Sequence, residues 1–394
     1  MAEPVDALDL GDGARLAIVP TAEGLSAVPM VRDGGWRRAH PGDGGAEALL
    51  GVLADVDESK TFGAFTIRGW SSRTARGERA VGVDQTNESV IVGNAAVVKW
   101  ATHLQPGPHP APHRLAVLRA AGFTGMPQPW GLITWAPDGA AETLAASVDE
   151  YLPGAVDGWT WAVDLVTRAA SGPDVTPLTA AAGDVGVLVA EMHDALASTT
   201  TVASAADAAR WRDEALAVLD AACAVHDGAA AHRGEIAGLL AVFGTLAGTA
   251  VLDGHGDLHV GQVLRSGGRF VVTDFDGNPV LPAGERALPI PAALDVAGMA
   301  QSLTHGAIVA RRYTDLDAAR VAEVDAAART AFLTAYQSRL RGLGRDPQLK
   351  PVTLRAFRLQ QVLREIVYAA RHLPRWMYVP DAALPALLEE GRTP

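Results

Sequence analysis

The chain has 394 residues, 48% of them hydrophobic, a formal net charge of −12 and one cysteine. That length exceeds a single compact core, so two or three subdomains are expected, and no apolar run is long enough to span a bilayer. The acidic balance argues against nucleic acid and against an anionic membrane surface as partners.

Residues 1–13 have neither the basic nor the apolar region of a secretory signal. Residues 1–88 then read as short β-like pieces (14–19, 62–67, 80–83) broken by Gly-rich turns such as Asp33-Gly34-Gly35, with a short helix at 47–54. They are expected to form a small antiparallel sheet capping the next subdomain. Strands at 89–92 and 96–100 follow, joined by a Gly93-Asn94 turn and preceded by a polar turn at 85–89. A helix at 112–121 and a Pro-punctuated strand pair at 124–135 come next. The segment 147–154 runs into Pro153-Gly154 ahead of a helix, which marks a boundary. The expected division is therefore 1–88, 89–153 and 154–394.

Beyond 154 the chain is Ala-rich, with helices at 157–170, 183–196, 203–223 and 233–246 that read as scaffold. His193 reads as a packed or capping histidine. Cys223 reads as a buried small hydrophobe; alone it precludes an intrachain disulfide and fits a reducing cytosol. A cytoplasmic protein is expected.

Residues 251–279, VLDGHGDLHVGQVLRSGGRFVVTDFDGNP, carry the chemistry. Val251-Leu252 leads in, Gly267-Gly268 is a hairpin turn, and 270–272 is a strand running into Asp274, Asp276 and Gly277. Three carboxylates (Asp257, Asp274, Asp276) and the Gln262 amide oxygen would thus come from the ends of adjacent strands. Phosphoryl transfer needs such a set: a base to orient a hydroxyl, and hard oxygen ligands to hold magnesium on the phosphates. Asp257 precedes Gln262 by five positions, the offset of Asp and Asn in the kinase loop H-R-D-x-x-x-x-N. A merely solvated acidic turn is the plainer alternative. After a Pro-rich loop at 279–291, a helix covers 292–310. A later helix at 354–372 sets Gln361, Glu365, Tyr368 and His372 on one face, ahead of Pro374-Arg375-Trp376. A carboxylate, a phenol and an indole together suit a sugar, although an exposed face of Glu and Arg pairs would look similar.

From about Gly63 onward the chain resembles the aminoglycoside-phosphotransferase-like branch of the protein-kinase-like fold. It is most similar to the actinobacterial maltokinases and glucosamine kinases, whose H-G-D-L-H-x-x-Q and D-F-x-G stretches match residues 255–262 and 274–277. The resemblance implies an α+β, bilobal fold: a mostly β N-lobe with a cap, a hinge, and a mostly helical C-lobe, with ATP between the lobes. It implies that Asp257 orients the acceptor hydroxyl, that Asp274 and Gln262 hold Mg²⁺, and that Lys99 holds the α/β phosphates. A loop containing Gln85, Asn87 and Ser89 would cover the phosphates, and the adenine edge would bond the hinge near Glu150 and Leu152. Asp295 would buttress the catalytic loop or border the sugar. Glu365, Tyr368, Arg371 and Trp376 would line the sugar pocket, with Asp276 as a further carboxylate.

There are departures from the pattern. No G-x-G-x-x-G is present, and Pro112-His113-Arg114 stands where a Glu should pair with Lys99, so His113 or another carboxylate must orient that lysine. The second Glu of the maltokinase sugar pattern is missing, and an extra residue precedes Pro374. The expected activity is transfer of the γ-phosphoryl group of ATP to a small sugar. An acidic pocket of Asp276, Asp295 and Glu365 would favour glucosamine, giving glucosamine 6-phosphate. Maltose, an aminoglycoside, or an inactive nucleotide-binding scaffold are the alternatives. Sugar and ATP are the expected partners of a monomer.

Overall fold

Alternation sets the first strand: in β1 (Asp6–Gly11) Leu8 and Leu10 point inward while Ala7 and Asp9 face water. It pairs with β2 (Ala14–Thr21), which pairs with β3 (Gly24–Asp33) and through it with β4 (Gly35–Arg38), making a four-stranded antiparallel meander. In this computed structural model residues 2–22, 24–81, 88–346 and 349–390 are described. They divide into two compact units, Met1–Ala155 with Asp274–Leu288, and Val156–Thr273 with Pro289–Pro394.

In the first unit, helix α1 (Gly45–Ala54) lies between that meander and a second sheet. Strands β5 (Lys60–Phe62), β6 (Phe65–Gly69), β7 (Glu78–Ala80), β8 (Glu88–Val92) and β9 (Ala96–Trp100), helix α2 (Ala111–Ala120), and strands β10 (Pro129–Trp135) and β11 (Thr143–Glu150) complete it. The second sheet is antiparallel with order β5-β6-β10-β11-β9-β8-β7. Strands from 60–80 thus sit in the same sheet as those after 88. Leu49, Leu50 and Leu53 of α1 pack with Leu16 and Ile18 of one sheet and Phe65, Ile67 and Ile133 of the other, so one core serves both. Each fully buried leucine contributes on the order of 2 kcal/mol by area.

The second unit opens with α3 (Gly158–Ser171) and α4 (Thr176–Ala195). Strand β12 (Thr201–Val202), helices α5 (Ala205–Cys223), α6 (Asp227–Ala231) and α7 (Arg233–Leu240), and strand β13 (Ala250–Val251) follow. β13 pairs with β12 rather than with the strand at 269–272. The hairpin is instead β14 (Val263–Ser266) with β15 (Arg269–Val272), turned by Gly267 and Gly268, both at positive φ. The segment Asp274–Leu288, with one short helix α8 (Ala283–Arg286), belongs to the first unit. Helices α9 (Ala292–Tyr313), α10 (Ala318–Gly342), α11 (Pro351–His372) and α12 (Tyr378–Glu389) close the second. α11 buries Phe357, Leu359, Val362, Leu363 and Ile366 in its core, which leaves Gln361 and Glu365 less buried. Among the described residues no helix is long and apolar enough to cross a membrane.

Candidate active site

In the first unit, strand register places the site. Lys99 of β9 stands opposite Ser89 of β8 and Ser147 of β11, while Asp149 stands opposite Val97. Alternation puts Ser89, Lys99, Ser147 and Asp149 on one sheet face, with Lys99 and Asp149 on a diagonal that long side chains can bridge. Lys99 Nζ lies 3.8 Å from Asp149 Oδ2. Asp149 is thus the carboxylate that takes the place of the missing helix glutamate, and His113 is exposed on α2. Burial disfavours the Lys99 ammonium, but Asp149, Asp274 and Asp276 outweigh it and hold its pKa above the ordinary value. Burial and the charge of Asp274 raise the carboxyl of Asp149 despite Lys99, and the same two causes push Asp276 up to about 7. Three carboxylates around one lysine leave an excess of negative charge, which a bound cation would relieve. Among the described residues no three His, Cys, Asp or Glu side chains form a metal cage on their own. Magnesium on nucleotide phosphates needs only one or two carboxylates, so the donor set fits it. The Ser89 hydroxyl is buried without a hydrogen-bond partner, and no described group accepts from the Leu152 N–H. The Glu150 N–H, by contrast, donates to the Gln128 carbonyl at 2.8 Å.

In the second unit the loop at 255–263 is fixed by its backbone. Asp295, on the first turn of α9, is fully buried. Its carboxylate accepts from the His255 N–H at 2.7 Å, the Gly256 N–H at 2.8 Å and His193 Nε2 at 3.2 Å. Burial alone would raise its pKa; the bonds from His193 and the loop overcome that and lower it. His255 Nε2–H donates to the Thr273 carbonyl at 3.0 Å, leaving Nδ1 to accept from the Asp257 N–H at 3.3 Å. The Val260 N–H donates to Ser302 Oγ at 2.8 Å, and Trp161 Nε1–H donates to the Val263 carbonyl at 2.9 Å. A Cβ at Gly298 would lie 2.4 Å from the Leu258 carbonyl oxygen, so only glycine lets α9 approach this closely. Gln262 accepts the Thr273 N–H at its carbonyl (2.9 Å), which puts its side chain at the start of the hairpin.

Glu365 comes to the same unit from α11. Gln361 Nε2 donates to Glu365 Oε1 at 3.1 Å, and His305 Nδ1 lies 3.4 Å from that oxygen. Oε2 is buried with no hydrogen-bond partner. Burial, with the charge of Asp257 added, pushes Glu365 up to about 8 against the opposing Gln361 bond. His305 is pushed down to about 3 by burial, by Arg358 and by His259, so it lies beside Glu365 as a neutral ring rather than as an ion-pair partner. Its tautomer is set by Gln301, whose amide donates to His305 Nε2 (2.9 Å) because Gln301 Oε1 accepts from Arg358 (3.0 Å). His259 stacks on Trp159 at 6.1 Å, and Trp376 meets Trp159 edge-on at 5.9 Å.

The predicted residues therefore fall into sets. Lys99, Ser89, Asp274 and Asp276 gather in the first unit; Asp257, Gln262 and Glu365 belong to the second, where Trp376 joins the Trp159–His259 stack. Gln85 and Asn87 lie outside the described residues. Four of the residues expected at the sugar pocket, Asp276, Asp295, Tyr368 and Arg371, have other surroundings. Asp295 is fully buried, with its carboxylate oxygens bonded to the 255–256 backbone and to His193. Asp276 keeps company with Asp274, Asp149 and Lys99 rather than with an ammonium pocket. Tyr368 is 48% exposed and packs on His372, and Arg371 is exposed, so neither joins Glu365 in its cluster. Sequence reasoning missed Asp149, His305 and Trp159. Trp159 carried a signal, an indole at a helix start just past the boundary; the other two depend on long-range pairing.

No family model matches the chain. It is 60% identical over 395 residues to a glucosamine kinase of Mycolicibacterium smegmatis, with 98% of each chain covered. It is 48% identical over 404 residues to a glucosamine kinase of Streptacidiphilus jiangxiensis, covering 97% of this chain and 90% of that one. Among solved structures, a glucosamine kinase in complex with glucosamine, ADP and inorganic phosphate matches with a TM-score of 0.85 at 46% identity, covering 98% of this chain and 93% of the other.

Proposed function

The chain belongs to the glucosamine kinase family, and from that premise we propose that it transfers the γ-phosphoryl group of ATP to the 6-hydroxyl of glucosamine. Asp257 accepts the hydroxyl proton or orients it, held in place by His255 from one side and by the Asp295-bonded backbone from the other. Glu365 faces the sugar amine. Lys99 holds phosphate oxygens, and Ser89 supplies a hydroxyl donor to them. Asp274 and Asp276 are carboxylate ligands for magnesium, and Gln262 is an amide-oxygen ligand. Bound magnesium supplies charge neutralisation on the phosphates. The Leu152 N–H donates to the adenine edge, and Trp376 with Trp159 forms an apolar wall for the C–H face of the sugar. The protein works in the cytoplasm as a monomer.

The observation that carries the choice of an amino sugar is the Glu365 Oε2 atom, buried without a partner beside Asp257. An unmatched buried carboxylate oxygen is costly, and a ligand ammonium satisfies it. ADP release measured with glucosamine, glucose, maltose and kanamycin tests the reading. Glucosamine should give the highest kcat/KM, and 6-deoxyglucosamine should give no turnover. Turnover of maltose with none of glucosamine overturns the substrate assignment.

A further inference from the structure

Arg114, on α2, is 1% exposed. A guanidinium at such depth is costly, and here two of its nitrogens are held by backbone carbonyls. Nη1 donates to the Phe275 carbonyl at 3.0 Å and Nη2 to the Arg286 carbonyl at 2.8 Å. These two carbonyls lie at opposite ends of one loop, and the first is one residue past Asp274. Arg286 grips the same loop from its far end: Nε donates to the Leu281 carbonyl at 2.8 Å, and Nη2 to the Pro279 carbonyl at 3.0 Å and to Gln105 Oε1 at 2.6 Å. The loop is wound tightly on Arg114. Gly277 has φ +71°, and a Cβ there would lie 3.1 Å from Arg114 Nη1 and 3.2 Å from Arg286 Cβ. Asp274 itself has φ 64°, a left-handed conformation that a residue with a side chain keeps only when its surroundings fix it.

We propose that Arg114 is the positioning residue of the Asp274–Asp276 turn. By holding the Phe275 carbonyl it fixes the left-handed backbone at Asp274 and so aims the two carboxylates. Helix α2 then sets metal affinity through loop carbonyls, a task open to it because Lys99 is paired by Asp149 on the sheet. The inference rests on the reading of Asp274 as a magnesium ligand, and the test separates the two. Mn²⁺ binding to the ADP complex is followed by electron paramagnetic resonance, alongside calorimetric titrations of metal-free ADP and of glucosamine, for Arg114→Lys, Gly277→Ala and Asp274→Asn. Arg114→Lys keeps the charge but loses the two-pronged grip; Gly277→Ala keeps the arginine and crowds it.

Both variants should weaken Mn²⁺ binding by roughly 10- to 100-fold, the range seen when groups that orient metal ligands are removed. Metal-free ADP and glucosamine affinities should stay within about twofold, which a general loss of structure would not allow. Parent-like Mn²⁺ affinity in Arg114→Lys, with Asp274→Asn weakened, overturns the proposal and leaves the magnesium reading standing. Full Mn²⁺ affinity in Asp274→Asn removes both. Should Arg114→Lys fail to fold, Gly277→Ala decides by the same criteria.

Discussion

Glu365 is held near neutrality by the same burial that makes its second oxygen available, and this gives it two pH signatures. Its carboxyl is pushed up to about 8, well above an unfolded glutamate, so the folded state binds the extra proton. The stability this contributes is complete below the unfolded pKa and is lost as pH rises through about 8. Glu365→Gln mimics the protonated form, so its Tm should exceed that of the parent by a margin that widens between pH 5 and pH 9; a margin independent of pH contradicts the assignment. Glucosamine needs the ionised carboxylate. Below the pKa, the competent fraction grows about tenfold per pH unit, so the Kd for glucosamine should fall by roughly tenfold from pH 6 to pH 7. In Glu365→Gln that slope should flatten. Asp257 has a different role, and Asp257→Asn should lower kcat by on the order of 10² to 10⁴ while MgADP affinity is retained. Turnover close to that of the parent would remove Asp257 from the chemistry.

At the scale of elements, helix α1 shows how distant residues complete a local structure. Its N-cap position, Gly44, has no side chain to cap with. Glu78, at the start of β7, supplies the cap instead, accepting from Gly42, Gly44, Ala46 and Glu47 N–H groups at 2.7 to 3.1 Å. Glu47 returns a bond, accepting from the Gly77 N–H at 2.7 Å. Removing a carboxylate from a helix N-terminus costs about 1–2 kcal/mol. Glu78→Ala should therefore lower the urea midpoint and speed amide exchange in 45–54, and unchanged exchange there would show the cap to be idle. The same distinction between near and far governs what the sequence reveals. The hairpin that leads to Asp274 was legible because one short stretch carries it with its own Gly-Gly turn. The Asp149–Lys99 pair was not, since it arises from strand register across residues far apart in the chain. Neither was the full burial of Asp295, whose carboxylate meets loop amides some 40 positions earlier. The i, i+4 spacing placed Gln361 beside Glu365 correctly, but continued along the helix it also collected Tyr368, which tertiary packing leaves exposed. Helical periodicity names a face; it does not say where a pocket on that face ends.

At the scale of the whole molecule, the proposed nucleotide groups apart from Gln262 fall in one compact unit and the proposed sugar groups in the other, each with its own core. That partition has a measurable consequence. A ligand stabilises what it binds by RT ln(1 + [L]/Kd), about 2.7 kcal/mol at a hundredfold excess over Kd, and local opening reports where that free energy is felt. MgADP alone should slow amide exchange in β9, β11 and the Asp274–Leu288 segment. Glucosamine alone should slow it in 255–259 and in the middle of α11, around Gln361 and Glu365. Each ligand should leave the other set nearly unchanged if the assignments of Lys99 and Asp274 to nucleotide and of Asp257 and Glu365 to sugar are correct. Hydrogen exchange read by mass spectrometry, peptide by peptide, distinguishes the outcomes. Protection of β9 and β11 by glucosamine alone, equal to that in 255–259, would mean that the sugar engages both units and that the division of labour argued from Lys99, Asp149 and Glu365 is wrong.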